Sequence, residues 1–495
     1  MSSLKKLANQ TFIYGGTTII GRVLNYLLVP IYTYIFPLNE YGIVSILYAW
    51  VSLLNVLMSY GMETAFFRFN EQAEDNQKNK VYGTSLISIF ITSVLFLFGM
   101  FYFQQNVANF VGYSQHPDYI VWFALIIAFD ALCVIPFARL RAQNRPLKFA
   151  FIKILNIASN IVFVLFFLFA CPWMLEKNIL PDLINIIYDK NIGIGYIFIS
   201  NLIASGITLI FLFSEIHIHR ISFSWYLWKN MIYYAFPLLI LGLAAIVNET
   251  MDRVLLKALL PLSPDSADSQ IGIYGACYKI SIMMTIFIQA FKYAAEPFFF
   301  SKYKDSDAKQ TYSNVMTYFV IACSFIFLAI MLYMDIAQYF VGEKFREGIG
   351  IVPILLLGNL FLGVFYNLSI WYKLTGQTRF GAYITLIGAA ITLALNYALI
   401  PVFGYVGSAW ATFICYFIMM ILSYLLGQKY YYVKYDLKRV LGFFILAVVL
   451  YVGSLFNPFT LLLPKLALNT VLMFVFIFVV FLSEKKKIVM VFNRK

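Results

Sequence analysis

Residues 233–261 read YYAFPLLILGLAAIVNETMDRVLLKALLP, a run apolar enough at its start to cross a bilayer that then carries Glu249, Asp252, Arg253 and Lys257 before stopping at Pro261. An ionisable group near the bilayer centre costs at least about 2.5–3.5 kcal/mol on insertion scales, so such residues face a protein interior or a watery cavity. Whether this stretch is a membrane helix decides the fold, and its surroundings answer the question. The chain has 495 residues, of which 62% are hydrophobic and only 12% charged. A soluble protein of that length needs a more polar surface.

Apolar windows of roughly 20 residues, enough to span about 30 Å as a helix, recur from end to end. Fourteen are expected, at 11–36, 42–66, 82–104, 118–139, 148–171, 193–214, 230–260, 271–300, 311–334, 351–373, 381–400, 405–427, 440–456 and 464–483. The chain is therefore read as an all-α polytopic membrane protein. The opening MSSLKK leads into an apolar run that contains Arg22 and lacks a small-residue cleavage pattern, which reads as a retained first helix and not a removable signal.

A net charge of +13 would suit a nucleic-acid partner, but its placement argues against one. With the N-terminus cytoplasmic, the inner segments hold 25 Lys/Arg, among them Arg139, Arg141, Arg145, Lys148, Lys429, Lys434, Lys438, Arg439 and Lys485–Lys487, while the outer loops hold five. That asymmetry is the positive-inside rule, and it places both termini in the cytoplasm. Trp173 on the outer side and Trp225, Trp228 and Trp371 on the inner fit aromatic belts. Cys133, Cys171, Cys277, Cys323 and Cys415 fall in or at the ends of apolar spans with no disulfide or metal-ligand spacing, and are read as small core residues. His217 and His219 in IHIHR have no carboxylate or cysteine to complete a metal site and are read as a solvated loop.

The quoted stretch also repeats. RVLNYLLVP from Arg22 aligns with RVLLKALLP from Arg253, sharing the Arg, Val, Leu, a later Leu and the Pro. Further on, Tyr41-Gly42 matches Tyr274-Gly275; Glu63 follows Gly42 by 21 residues, as Glu296 follows Gly275, and each is trailed by a Phe pair, Phe66-Phe67 and Phe299-Phe300. The copies begin at the first and seventh spans, so the unit is six helices. The expected organisation is a lobe at 1–220, a second at 225–428, and two additional helices with a tail at 429–495. An even number of spans makes both copies enter from one side, so the lobes are expected to be related by an axis along the membrane normal, with a substrate cavity between them.

Three stretches carry a family resemblance: NQTFIYGGTTIIGRVLNYLLVPIYTYIFPLNEYGIVS (9–45), SYGMETAFFRF (59–69), and MDRVLLKALL (251–260) followed by IGIYGACYKI (271–280). In them, and along nearly its whole length, the chain resembles the polysaccharide transporters of the multidrug/oligosaccharidyl-lipid/polysaccharide (MOP) superfamily, which includes the Wzx O-antigen flippases. The resemblance implies two six-helix lobes that alternate access and move an undecaprenyl-diphosphate-linked oligosaccharide outward across a bacterial inner membrane, for lipopolysaccharide or other surface polysaccharide. It also implies membrane lipids and polysaccharide assembly proteins as partners. The stretch PLSPDSADSQ (261–270) departs from the tight connection expected between the seventh and eighth spans.

Glu249, Arg253 and Lys257 recur every four residues with Asp252 beside them, along one stripe. Two readings stand. In one, Glu249 and Arg253 neutralise each other at i, i+4 and hold the helix end, with Lys257 snorkelling outward. In the other, Arg253 and Arg22, at matching positions of the repeat, line the cavity and meet the diphosphate through bidentate guanidinium donors. Thr18 and Asn25 make the Arg22 face polar. In the eighth span Lys292 is expected at the substrate with Glu296 as its structural partner, whereas Lys279, about 140° away at ~100° per residue, is placed near the outer mouth. Lys153, with Asn156 and Asn160 on its stripe, either greets the incoming head group or caps the inner rim. Asp130 and Glu63 have no basic neighbour three or four residues away, which makes each a candidate for proton coupling; Asp130 has the alternative of pairing across helices with Lys153 or Arg22.

A cation-coupled drug or toxin antiporter of the same fold is the rival reading. It would line its cavity with acids, whereas six basic residues (Arg22, Lys153, Arg253, Lys257, Lys279, Lys292) stand in these spans against four acidic ones (Asp130, Glu249, Asp252, Glu296). An enzyme acting on lipid-linked sugars needs a sizeable loop bearing acids or histidines, and the longest outer connection, 171–191, shows no catalytic spacing. There is no Gly-rich phosphate loop, nucleophile elbow or metal motif. No cofactor is expected, and the coupling ion, H⁺ or Na⁺, is left open.

Overall fold

In the lipid interior a backbone amide finds no water, so an apolar run has to satisfy its own hydrogen bonds, and a helix does so within one segment. The computed structural model describes residues 15–492 except 18, 217–221, 304 and 460, with side chains placed to 485. Among the described residues there are no strands, and thirteen helices are long and apolar enough to cross a membrane: α1 (Gly15–Ile35), α2 (Leu38–Gln72), α3 (Asp75–Tyr102), α4 (Pro117–Ala142), α5 (Pro146–Glu176), α6 (Gly195–Phe213), α7 (Trp225–Leu259), α8 (Pro264–Lys302), α9 (Ala308–Leu332), α10 (Glu343–Leu374), α11 (Arg379–Tyr430), α12 (Leu437–Leu455) and α13 (Leu462–Lys485).

Fourteen expected spans and thirteen helices reconcile at α11. Its 52 residues would make a rod of about 78 Å at 1.5 Å per residue, more than twice a bilayer core. Gly404 interrupts it at φ 57°, ψ −138°, backbone space open essentially to glycine. The arms then fold back on each other: Ser408 Oγ donates to Asn396 Oδ1 at 2.7 Å, and Cys415 Sγ to the Gly388 carbonyl at 3.4 Å. Helix α11 is a hairpin of two crossings, split where the sequence placed a gap.

Two expectations about connections need correction. The acidic stretch 261–270 is not a long loop, because α8 begins at Pro264 and takes Asp265 and Asp268 into its first turns. Proline at a first helical position, where an amide N–H has no partner anyway, explains that start. Trp371 is not a belt residue: it is 2% exposed, donates to the Ser423 carbonyl at 3.2 Å and stacks on Tyr430. Trp173 and Trp225 are exposed, as belt residues are, whereas Trp228 donates to Ser88 Oγ at 2.7 Å. All five cysteines are buried and free. His217 and His219 lie outside the described residues.

The helices pack as two compact units. The first holds the chain to Leu28, Asn39–Ala258 and Leu262–Ser269; the second holds Val29–Leu38, Leu259–Pro261 and everything from Gln270. In the first, α4 packs on α3 and α6, and α6 on α5. Helix α7 packs there as well: a Cβ on Gly61, which sits at φ +70°, would come within 2.9 Å of the Ala235 carbonyl, and Arg68 stacks on Tyr234. In the second unit α10 packs on both α9 and the α11 hairpin, while α12 and α13 pack on α9. The last turns of α1 belong to this unit, where Thr33 Oγ1 accepts from the Gly342 amide at 3.0 Å and Tyr34 donates to the Tyr339 carbonyl at 3.0 Å. The hydroxyls of Ser85, Ser200, Thr208 and Thr412 return to the backbone one turn back, so these four present no orphan polar atom to the interior.

Candidate functional site

The four charges of α7 do not share one environment. Asp252 and Arg253 are buried, whereas Glu249 is exposed. The expected Glu249–Arg253 pair is replaced by a neighbouring one: Arg253 Nη1 donates to Asp252 Oδ1 at 3.0 Å, and from Glu249 it takes only the backbone carbonyl, at 3.4 Å. The same Asp252 oxygen accepts the Arg253 amide at 2.8 Å. Consecutive helical residues point about 100° apart, so this contact needs the long arginine stem to curl back, which a low-dielectric surrounding favours. Lys257 does not snorkel free. Its ammonium donates to Asp268 Oδ2 at 2.7 Å and to the Pro264 carbonyl at 3.3 Å, and it lies over the ring of Tyr113, which donates to Asp268 Oδ1 at 3.1 Å. Burial, and then the Asp268 charge, hold the Tyr113 hydroxyl well above its ordinary pKa, so it stays a donor.

Arg22 and Asn25 lie on the exposed side of α1. The opposite side carries Gly21, where a Cβ would come within 2.6 Å of Ile157 on α5, so α1 lies flush against that helix. Thr18 is outside the described residues.

Asp130 is held in the first unit, where it accepts from Ser205 Oγ on α6 at 2.8 Å and lies within electrostatic reach of Lys153. The ammonium of Lys153 sits over the Phe137 ring, 4.2 Å from its centroid, and Asn156 donates to Thr208 Oγ1 at 2.8 Å.

Glu63 has a partner after all: the guanidinium of Arg141, from the end of α4. The partner comes from another helix, in keeping with the absence of a basic residue three or four positions away. Glu296 likewise pairs with Lys373, at 2.8 Å, instead of with Lys292. Lys292 lies over the Tyr366 ring, 4.7 Å from the centroid. These groups line one recess in the second unit together with Asn367 and Ser369, and Lys279 is half-buried on α8.

Sequence reasoning missed a second charged cluster. Glu215, just after α6, is buried and accepts from Lys148 and from Arg145, the latter at 3.0 Å; its carbonyl takes Arg139 at 2.7 Å. No local spacing signals this, because the four residues come from three separate segments. The Arg141 and Lys373 partners stand 99 residues after Gly42 and 98 after Gly275, one residue out of the register that matched the two glutamates.

Comparison with known proteins gives first a class and then a family. The fold is similar to the lipid II flippase MurJ in an inward closed conformation, with TM-score 0.71 and 13% identity over 94% of this chain and 98% of that one. It is also similar to an inward-facing multidrug resistance MATE family transporter of the MOP superfamily (0.64, 14%, 83% and 94%) and to a MATE protein in complex with MaD3S (0.60, 13%, 85% and 95%). The chain thus shares the fold of a flippase and of MATE transporters. Residues 7–301 match the polysaccharide biosynthesis protein family, and the chain belongs to that family. No curated protein matches it.

Proposed function

We propose that the protein is a flippase that moves an undecaprenyl-diphosphate-linked oligosaccharide across the bacterial inner membrane by alternating access, for surface polysaccharide such as O-antigen. The carrying observation is the conjunction of a polysaccharide biosynthesis family match with a MurJ-like fold over 94% of the chain. Sugar-polymer biosynthesis requires that a bulky anionic lipid head cross the bilayer, and MurJ is named for that job on lipid II. Both termini are assigned to the cytoplasm from the lysine and arginine bias. The organisation by sequence is two six-helix repeats, 1–220 and 225–428, with helices from 429 onward added.

Arg22 and Arg253, with Lys292, are assigned to the diphosphate, Lys153 to head-group entry, and Asn25 and Lys279 to the polar surface around them. Cations suit a diphosphate, and arginine offers it two parallel donors. The test is surface polysaccharide in a deletion strain carrying variants. Arg22→Ala and Arg253→Ala should abolish it while the protein remains inserted, and lysine at either position should restore part. Because Arg253→Ala also removes the guanidinium that the buried Asp252 accepts from, its folding has to be checked alongside, which makes Arg22 the cleaner probe. Normal polysaccharide in both alanine variants removes the site. The MATE likeness supports a rival, a cation-coupled drug antiporter; it predicts drug hypersensitivity on deletion with surface polysaccharide intact.

A further inference from the structure

Helices α8 and α10 of the second unit lie side by side and run in the same direction. A Cβ on Gly348 would meet Ile273, Asn359 Nδ2 reaches Ser281 Oγ at 3.5 Å, a Cβ on Gly363 would meet Ile288, and Lys373 donates to Glu296 at 2.8 Å. Both members of each contact rise together along the chain, and their separation stays between 75 and 78 residues. Only parallel helices in a fixed register do that. Asn367 stands 75 residues after Lys292, so these two are level with each other, between the Gly363 and Lys373 contacts.

At this level the two helices part. Lys292, Glu296, Asn367 and Lys373 line a half-open recess of about 290 Å³, backed by Phe291 and Phe299. Phe291 packs on Phe319 of α9, with ring centroids 4.5 Å apart, and Phe299 on Tyr312 of the same helix. The back wall is therefore apolar, and charges held against it attract more strongly than they would in water. Asn367 is 3% exposed, and its amide nitrogen is buried with no hydrogen-bond acceptor among the described residues. A buried donor left unmet is costly, and native interiors hold few of them. The ammoniums are held from either side, Lys292 over the Tyr366 ring and Lys373 on Glu296. The recess thus gathers two cations and an unmet amide against one carboxylate, an excess of one positive charge.

We propose that this recess binds the phosphate group of a lipid, with Lys292 and Lys373 supplying the charge and Asn367 the donor that orients it. Lysine meets phosphate as a point charge, whereas an amide presents its N–H groups in a fixed plane. The depth suits a lipid head. Lys373 lies one residue before the end of α10, and Lys292 ten residues before the end of α8, about 15 Å along the axis. Both ends are on the side that the lysine and arginine bias assigns to the cytoplasm. A phosphate competes with Glu296 for Lys373, so Glu296 sets the affinity by opposing it. Two lipids carry the required group, the phosphorylated polyprenyl carrier and a resident phospholipid. Assigning the phosphate to the carrier rests on the flippase reading above; the recess itself does not.

The experiment uses purified, delipidated full-length protein in detergent and native mass spectrometry, with undecaprenyl phosphate, undecaprenol and phosphatidylglycerol titrated separately. All samples carry Arg22→Ala, so that the other assigned phosphate contact does not mask the change. Undecaprenyl phosphate should bind about tenfold or more tighter than undecaprenol, which has the same tail without the phosphate. Lys292→Gln and Asn367→Leu should each remove most of that preference. Glu296→Gln should widen it, a gain that no misfolded variant produces. Lys302→Gln, at an exposed ammonium paired with Asp305, should leave it unchanged. If the affinity for phosphatidylglycerol follows these variants and that for undecaprenyl phosphate does not, the recess holds a resident lipid; the opposite pattern gives it to the carrier. Affinities for both phosphate lipids that ignore Lys292, Asn367 and Glu296, or that fall with Glu296→Gln in a monodisperse sample, overturn the site. Phosphate binding as described in a protein whose deletion leaves surface polysaccharide intact sinks the flippase reading and leaves the recess standing.

Discussion

Glu215 shows how one side chain ties three segments together. Its carboxylate is 3% exposed; burial by itself raises its pKa, yet the hydrogen bond and charge of Lys148, then Arg145 and Arg139, outweigh that and hold it below the usual 4.5. A carboxyl lowered in the folded state contributes stability that is present above its unfolded value and is lost as pH falls through the lowered folded one. Thermal unfolding in detergent should therefore show a melting temperature that drops in acid below about 4.5. Glu215→Gln should melt lower at neutral pH, by an amount corresponding to about 1–2 kcal/mol, because the cations it leaves behind are partly solvated. The gap between the two proteins should close as the pH falls. A constant gap would show that shape, not charge, holds this corner. None of this was visible in the sequence, where Glu215 stands alone and its partners lie roughly seventy residues upstream.

Among elements, the α11 hairpin was the most legible and α7 the least. Hydropathy marked a gap between 400 and 405, and Gly404 sits in it with a backbone geometry that a Cβ resists. A Cβ there would also meet Gln270 Oε1 at 2.9 Å. Gly404→Ala should destabilise the protein by about 1–3 kcal/mol, the usual size of such backbone strain, read as a lower melting temperature. An unchanged melting temperature would mean that the turn does not depend on glycine. Helix α7 was recognised as a span, and its charges as significant. The partner choice was misread because i, i+4 spacing describes an isolated helix, whereas in the folded chain Asp252 and Arg253 are buried and Glu249 is left outside. The four-residue rule is worth only a few tenths of a kcal/mol, and burial overrides it.

At the scale of the whole molecule, the two glutamates that revealed the repeat turn out to hold equivalent contacts. Glu63 joins α2 to the end of α4, and Glu296 joins α8 to the end of α10. An ion pair kept within one residue of the same register in both copies, with arginine in one and lysine in the other, is an internal control that nature has already run. Reversing one partner, as in Glu63→Arg or Arg141→Glu, should lower the melting temperature, and the double reversal should recover much of the loss; Glu296 and Lys373 should behave alike. Both pairs are partly exposed, so the coupling should be modest, about 0.2–1 kcal/mol. Equal losses in single and double variants would show that the pairs contribute nothing through charge.

The sequence by itself determined the class and where the apolar helices fall, because both follow from hydropathy: a lipid solvent demands about 20 apolar residues per crossing, and that demand is local. It also singled out Arg22, Arg253, Lys292, Lys153 and Asp130 as costly and therefore meaningful. Only the tertiary structure decided which charge answers which, placing Asp252 on Arg253, Arg141 on Glu63, Lys373 on Glu296 and Ser205 on Asp130. Electrostatic partnership depends on distance through space, and between helices that distance is set by packing, which no spacing along one chain segment encodes.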